Sequence, residues 1–384
     1  MNRDMNGSNI PFLVTLWINW LYNFSTRTIV ATVLPVIERE LQISHGGAGS
    51  ILSFYAIGYA SALLSAGQLI RWLGYTKLVI YGHLGVLLLV FLSTFGKSYS
   101  HFVIVYLFLG FVAGAYLPCG IALLAERFSS DNRAKIIGFH QMAPSVAFLV
   151  IPLMVGLLLK LISWRSIILL FAFTGIPILL ALVKFVGGAL ASTLPVTPNY
   201  GTVLKDKRVW VVGLLFGIAG ICNIGIFSIA PLFLVSEKGF SVQDANQLLG
   251  ISRIGGVFVP FLVGALADRL GYVTTLIPVV FVVGLFTVLM TMGYTEGSLL
   301  VFLLVQGSAA AGFFPLLFAL IARTVDHSNR GTAVGIVTVF GAIFGIGLAP
   351  WILGTVADHY SFGHGIMAVG VLALISPVLL RAFR

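Results

Sequence analysis

Two arginines, Arg27 and Arg253, lie inside long apolar runs of this chain. Arg27 belongs to the stretch LYNFSTRTIVATVLP and Arg253 to LLGISRIGGVFVP, and neither stretch contains an acidic residue. An arginine at the centre of a membrane helix costs about 2.5–3.5 kcal/mol even on insertion-based scales. Because the guanidinium is always charged and presents a planar fork of N–H donors, these positions predict the binding of an anion, above all a carboxylate.

The acidic residues offer neither arginine a partner within the membrane. All of them fall in predicted loops or at predicted helix ends: Asp4, Glu38, Glu40, Glu126, Asp131, Asp206, Glu237, Asp244, Asp268, Glu296, Asp326 and Asp358. A cavity that contains the two arginines would therefore carry net positive charge. We expect an anionic substrate to supply the counter-ion, since a buried charge without a partner is strongly unfavourable.

The composition explains why these arginines must be considered in a membrane. Apolar residues make up 59% of the 384 residues and charged residues only 9%, which is too little charge for the surface of a water-soluble protein of this length. We explain the net charge of +10 by basic residues in the loops, which set membrane topology. No nucleic-acid partner is therefore expected. The start of the chain has no cleavage site of the signal-peptide kind.

Twelve apolar runs are long enough to cross a ~30 Å hydrocarbon core as helices. They cover residues 10–36, 46–70, 78–96, 101–125, 136–160, 164–185, 208–235, 244–267, 273–293, 298–322, 332–357 and 362–381. With both termini in the cytoplasm, fifteen Lys and Arg fall on the inner side and five on the outer side. The positive-inside rule thus predicts cytoplasmic termini.

The sequence repeats itself after 197 residues. Matching pairs at this shift include Gly67 and Gly264, Gly74 and Gly271, Tyr75 and Tyr272, Arg133 and Arg330, and Gly138 and Gly335; one added residue later brings Pro152 over Pro350 and Gly156 over Gly354. We therefore predict an all-α membrane protein with two six-helix bundles, 1–186 and 208–384. The Gly-, Pro- and Thr-rich segment 187–207 between them is predicted to be a cytoplasmic linker.

With this repeat, the whole chain resembles the major facilitator superfamily of secondary transporters. The stretch GALADRLG, Gly264 to Gly271, matches the loop signature G-x-x-x-D-R-x-G of that superfamily, whereas the first-half counterpart has Arg71 in place of the aspartate. The resemblance implies a major facilitator fold whose two bundles expose a central site to each side in turn. It also implies gating contacts on the cytoplasmic side, for which the candidates are Arg71, Arg133, Gly264, Asp268, Arg269, Gly271 and Arg330.

A narrower resemblance is to the organic-anion transporters of this superfamily. The first span, YNFSTRTIVATVLPVIEREL, is similar to that of the anion:cation symporters in Tyr22, Arg27, Pro35 and the pair Glu40–Leu41, but Thr26 stands where they have an aspartate. Arg253 resembles the arginine with which oxalate and monocarboxylate transporters bind the substrate carboxylate. Spans 1 and 8 line the cavity in this superfamily, so the resemblance implies an anion clamp made by the two arginines.

Other polar residues within the predicted spans are further candidates for the substrate site. Asn19 and Asn23 precede Arg27 at spacings that put all three on one helix face, although both could instead be interhelical hydrogen-bonding residues. His140 is the titratable candidate for proton coupling, unless it is simply hydrogen-bonded in a helix seam. The remaining candidates are Tyr55, Gln141, Asn223 and Gln306.

These observations predict a secondary transporter for a small mono- or dicarboxylate, working as a proton symporter or an anion exchanger. An exporter of amphipathic drugs or lipids, and a non-transporting receptor with the same fold, are the alternatives. Catalysis, cofactors and metals are not expected, because no nucleophile–base set or metal-ligand spacing occurs in the spans. We expect a monomer in the lipid bilayer of the cell membrane, most simply a bacterial inner membrane.

Overall fold

The structure, a computed structural model, describes residues 9–189, 200–326 and 329–383. Every regular element within these ranges is a helix. Within the predicted linker 187–207, residues 190–199 lie outside the described residues. Its described end contains only the short helix Tyr200–Val203 before the next long helix begins at Lys207.

The long helices are labelled α1 to α12 in chain order. They are α1 Asn9–Leu41, α2 His45–Leu73, α3 Tyr75–Ser93, α4 Tyr99–Arg127, α5 Lys135–Leu158, α6 Trp164–Val186, α7 Lys207–Ser236, α8 Val242–Leu270, α9 Tyr272–Met292, α10 Glu296–Thr324, α11 Arg330–His359 and α12 Phe362–Phe383. Among the described residues, the eleven helices from α2 onward are long and apolar enough to cross a membrane. α1 has 33 residues but is not one of these eleven, so the twelve-span count and the cytoplasmic termini stay predictions.

Several helices are interrupted where an irregular backbone can present polar groups. α7 contains a π-helical turn at Ile221–Gly225, and α11 contains one at Ala342–Leu348. α8 is broken between its segments Val242–Ile251 and Gly255–Leu270. Such π-bulges and breaks are frequent at functional sites, because they free backbone groups and redirect side chains.

Three pairs of helix starts correspond to each other at the repeat spacing of 197 residues, or 198 after the added residue. In each, a Ser or Thr side chain accepts a hydrogen bond from the backbone N–H three residues later, which is the usual N-cap geometry. The pairs are Ser44 with Ser241, Ser98 with Thr295, and Ser163 with Ser361. All three pairs are on the side predicted to be extracellular, so the repeat extends from residue type to local structure.

Gly74 and Gly271 form a further repeated pair, at the turns that precede α3 and α9. Their φ angles are +76° and +93°, a region that residues with a side chain rarely adopt. Gly271, predicted to be a gating residue, is therefore required by the backbone of the turn. Gly264 has open space where a side chain would lie, so packing does not explain its identity.

The chain divides into two compact units, which we call unit 1 and unit 2. Unit 1 comprises the described parts of 1–30, 54–151 and 158–196, and unit 2 those of 31–53, 152–157 and 197–384. The core of unit 1 contains Phe12, Leu16, Trp20, Tyr116, Leu123 and Val186, and the core of unit 2 contains Phe216, Val280, Phe313, Leu317 and Val337. The predicted bundle boundaries at 186 and 208 stay a prediction.

Unit 2 includes the ends of α1 and α2 that are predicted to face outward, and hydrogen bonds hold them there. The fully buried Asn246 of α8 donates from Nδ2 to the backbone oxygen of Thr32 in α1, at 2.9 Å. The carboxylate of Asp358 in α11 accepts from the backbone N–H groups of His45 and Gly46, at 2.8 and 2.9 Å. A carboxylate at this position satisfies the free N–H groups at the start of α2 and complements the helix dipole.

Candidate functional site

Arg253 lies in the break of α8. Its backbone N–H bonds to the oxygen of Gly250 at 3.0 Å, and that of Ile254 bonds to Ile251 at 3.2 Å, so these bonds reach back three residues instead of four. The side chain is only 2% exposed. A tightened turn thus replaces the regular helix at the residue that carries the charge.

The guanidinium of Arg253 contacts an amide and an aromatic ring of α7. Its Nη1 donates to Oδ1 of Asn223 at 3.3 Å, and its Cζ lies 5.0 Å from the centre of the Phe227 ring. Asn223 in turn donates from Nδ2 to the backbone oxygen of Ala310 at 3.4 Å. A Cβ at Gly307 would lie 3.1 Å from Arg253 Nη1, so the absence of a side chain there leaves room for the guanidinium.

Gln306 is fully buried on α10, close to the same part of α7. Its Nε2 donates to the backbone oxygen of Cys222 at 2.7 Å and to Thr287 Oγ1 at 3.3 Å. The structure therefore brings Asn223, Arg253 and Gln306, three of the predicted site residues, together within unit 2.

Arg27 is buried in unit 1 among aromatic side chains. It is 6% exposed, and its Cζ lies 3.9 Å from the ring centre of Phe24 and 6.0 Å from that of Phe148. A guanidinium over a desolvated ring gains about 2 kcal/mol from the cation–π interaction. Within the described part of the chain, Arg27 Nη1 has no hydrogen-bond partner. The hydroxyl of Thr26 is bonded to the backbone oxygen of Asn23 at 2.8 Å, so it turns back onto its own helix.

Asn19, Asn23 and Tyr55 are buried in the same unit. Asn19 is 1% exposed and Asn23 2%, so neither faces outward from the protein. Among the described residues Asn23 Oδ1 also lacks a hydrogen-bond partner. Tyr55 of α2 stacks on Tyr59, with ring centres 6.1 Å apart.

His140 is hydrogen-bonded in a helix seam. Tyr116 donates its hydroxyl hydrogen to the backbone oxygen of Leu16 at 2.7 Å, and the Tyr116 oxygen lies 2.9 Å from His140 Nε2. The His140 Nδ1 lies 3.3 Å from Gln141 Oε1, and its ring stacks on Trp20 at 6.1 Å with an interplanar angle of 6°. These contacts favour the seam interpretation of His140, while a role of His140 in proton coupling and of Gln141 in the substrate site stay predictions.

The buried charges of the described side chains are all positive. Arg27 and Arg253 are the charged residues among the buried polar side chains, and no described Asp or Glu is buried with them. Within the ranges that the structure describes, the interior thus contains fixed positive charge with no buried carboxylate to balance it.

A sequence model of the Major Facilitator Superfamily matches residues 16–296. The chain belongs to the Major Facilitator Superfamily. The protein is therefore a multi-span membrane transporter and not an enzyme.

Individual relatives within the superfamily match nearly the whole chain. A Bacillus subtilis (strain 168) protein named as a niacin/nicotinamide transporter, NiaP, is 23% identical over 99% of this chain and 97% of its own length. The cis,cis-muconate transport protein of Acinetobacter baylyi is 23% identical over 91% of this chain and 88% of its own. The solved structure of the nucleoside transporter NupG covers 97% of this chain and 100% of its own with a TM-score of 0.80 at 16% identity, which is a likeness of fold.

The superfamily loop signature has its own local contacts at the start of α9. Asp268 accepts a hydrogen bond from the hydroxyl of Tyr272 at 2.6 Å, and the Cζ of Arg323 lies 4.3 Å from the Tyr272 ring. Arg71, in the first-half counterpart, donates to Gln68 Oε1 at 2.6 Å. The other predicted gating cations, Arg133, Arg269 and Arg330, are exposed. A gating role for this superfamily loop stays a prediction.

Sequence reasoning missed the aromatic partners of the buried polar groups in this transporter. These are Phe24 and Phe148 for Arg27, Phe227 for Arg253, and Trp20 and Tyr116 for His140. Phe24 could have been found, because it precedes Arg27 by three residues and so shares its helix face. The others come from different helices or from an irregular turn, and no sequence spacing indicates them.

Proposed function

We propose that this superfamily member transports a small organic anion, a mono- or dicarboxylate, by alternating access. The observation that carries the proposal is the pair of buried arginines, Arg27 and Arg253, in an interior whose described side chains include no buried Asp or Glu. A carboxylate would supply the missing negative charge and accept the forked N–H donors of a guanidinium. The relative named for cis,cis-muconate transport supports an organic acid as cargo.

In this proposal the two arginines bind the cargo and the nearby amides orient them. Arg253 is directed by Asn223, and Arg27 keeps Nη1 available beside Asn23. Asn19, Tyr55, His140, Gln141 and Gln306 complete the predicted set of site residues. Transport proceeds as proton symport or as anion exchange. Exchange requires no proton carrier in the membrane, whereas symport would use His140, a buried titratable group that stacks on Trp20 of the helix that carries Arg27.

Counterflow into liposomes tests this proposal. We expect the purified wild-type protein to accumulate labelled mono- or dicarboxylates against an internal pool of the same compound. Arg253→Ala and Arg27→Ala should abolish accumulation, whereas Arg381→Ala, which removes an exposed arginine, should not. Counterflow of neutral sugars or cationic drugs, with none of any carboxylate, would contradict the proposal.

A further inference from the structure

The π-bulge of α7 leaves one backbone carbonyl without its helical donor. The N–H of Ile226 bonds to the oxygen of Ile221, five residues back. In a regular α-helix it would bond to Cys222, four residues back. The Cys222 oxygen lies in a buried part of the protein, where a carbonyl without a donor is costly.

Gln306 supplies the donor that this carbonyl lacks. Its Nε2 lies 2.7 Å from the Cys222 oxygen and 3.3 Å from Thr287 Oγ1. Thr287 gives its own hydrogen to the backbone oxygen of Val283 at 2.7 Å, so its oxygen accepts from Gln306. Both N–H bonds of the Gln306 amide are thereby used, and its orientation is fixed by two acceptors on different helices.

The residue after the bonded carbonyl is Asn223, the partner of Arg253. One extra residue in a turn rotates the following side chains around the helix by about 100°, so the bulge decides where Asn223 points. A single turn of α10 serves all three contacts: Gln306 bonds the bulge, Gly307 leaves space for the guanidinium, and the Ala310 oxygen accepts from Asn223.

We propose that Gln306 is a positioning residue, which holds the α7 bulge so that Asn223 directs Arg253. The inference rests on the proposed role of Arg253 in binding the cargo. It gives Gln306 a task distinct from substrate contact, because both of its donors are engaged within the protein.

The corresponding positions of the first repeat contain neither a bulge nor an amide that bonds it. At the shift of 197 residues, Gln306 corresponds to Leu109, Thr287 to Val90 and Asn223 to Thr26. α1 is continuous from Asn9 to Leu41, with no bulge at the matching place. An amide at the Gln306 position and the bulge thus occur together in the second repeat, and the described first repeat has neither at the matching places.

A mutant cycle in liposome transport tests the proposal. We expect Gln306→Met to raise the KM for a transported carboxylate by up to about fivefold, with a smaller effect on maximal rate. If Gln306 acts through Asn223, the double variant Gln306→Met/Asn223→Ala should be no worse than Asn223→Ala alone. An unchanged KM, or additive effects in the double variant, would overturn the proposal.

α9 provides a matched pair of threonines for control. Thr287 and Thr275 are both buried, and each bonds its hydroxyl to the backbone oxygen four residues earlier. Only Thr287 meets Gln306. Thr287→Val should raise the KM in the direction of Gln306→Met, and Thr275→Val should leave it unchanged. Equal effects of the two substitutions would indicate a general loss of packing and contradict the positioning role.

Maleimide labelling of Cys222 provides a readout that does not depend on the substrate. The chain has two cysteines, so Cys119→Ala leaves Cys222, a bulge residue that is fully buried, as the one thiol. Gln306→Met should speed its modification by N-ethylmaleimide several-fold, and Thr275→Val should not. If the wild-type protein transports no carboxylate, the proposed function fails, while the labelling rates still decide the role of Gln306; an unchanged rate in Gln306→Met would reject it.

Discussion

Arg27 and Arg253 are similarly buried, but one is surrounded by aromatic rings and the other by an amide framework. Arg27 rests on Phe24 within a continuous helix. Arg253 lies in a helix break, and an asparagine from a π-bulge accepts from its Nη1. A ring face attracts a cation over a broad area, whereas an amide oxygen accepts from one direction. The Phe24 ring thus leaves the orientation of the Arg27 guanidinium loosely defined in unit 1, whereas Asn223 fixes the direction of the Arg253 guanidinium in unit 2.

The difference also shows what the internal repeat has kept and what it has changed. The caps at Ser44 and Ser241, and the left-handed turns at Gly74 and Gly271, are the same in both halves. The polar interior is not, since at the shift of 197 residues Arg27 corresponds to Ile224 and Arg253 to Ala56. Helix ends obey local rules that both halves must satisfy, while the buried polar groups are free to specialise for the cargo.

The largest expected effect is that of replacing each arginine by lysine. Arg253→Lys keeps the charge but loses the fork and the bond to Asn223, so a charge-assisted contact worth about 1.5–3 kcal/mol is lost and the KM for a carboxylate rises ~10- to ~150-fold. Arg27→Lys keeps a cation over Phe24, so its KM should rise by about tenfold or less. Carboxylate counterflow at a series of concentrations measures both values.

One result of the arginine-to-lysine substitutions would contradict this comparison. If Arg27→Lys is as damaging as Arg253→Lys, the two surroundings do not differ in the way the contacts indicate. Arg381→Lys serves as the matched control, because Arg381 is exposed, and its KM should equal that of the wild type.

A smaller effect is expected at the repeat-related pair Asn223 and Thr26. Asn223→Ala removes the acceptor for Arg253 Nη1, which should cost about 1 kcal/mol and raise the KM about fivefold. Thr26→Val should change the KM less than about twofold, because the hydroxyl of Thr26 gives its hydrogen to the oxygen of Asn23 on its own helix and otherwise bonds Tyr55, not Arg27. A larger loss at Thr26 than at Asn223 would reverse the comparison and place Thr26 in the site.

The sequence predicted the parts of the structure that depend on hydrophobicity and on local rules. The superfamily, the positions of the long helices and the burial of Asn19, Asn23, Arg27 and Arg253 follow from apolar runs, from spacing along one helix face and from the loop signature. Long apolar runs and helix-face spacing are strong signals, since membrane helices satisfy their own backbone hydrogen bonds.

The features that the sequence did not predict depend on contacts between residues far apart in the chain. The π-bulge at Ile221–Gly225 has no proline or other local signature and is accompanied by an amide from α10, more than eighty residues away. His140 was expected either to titrate or to be hydrogen-bonded in a seam, and its partner Tyr116 is on another helix. Gln306 was expected to line a cavity, and only its two acceptors indicate the positioning role.

The central claim is that the buried arginines bind the negative charge of the cargo. Pairs of ligands that differ only in charge test it most directly. Thermal unfolding of the purified protein would be measured with a panel of mono- and dicarboxylates, each paired with its neutral amide, since a ligand well above its Kd raises the unfolding temperature. We predict that at least one carboxylate stabilises the wild type, that its amide does not, and that Arg253→Gln removes the stabilisation. Equal stabilisation by a carboxylate and its amide, retained in Arg253→Gln, would contradict the claim.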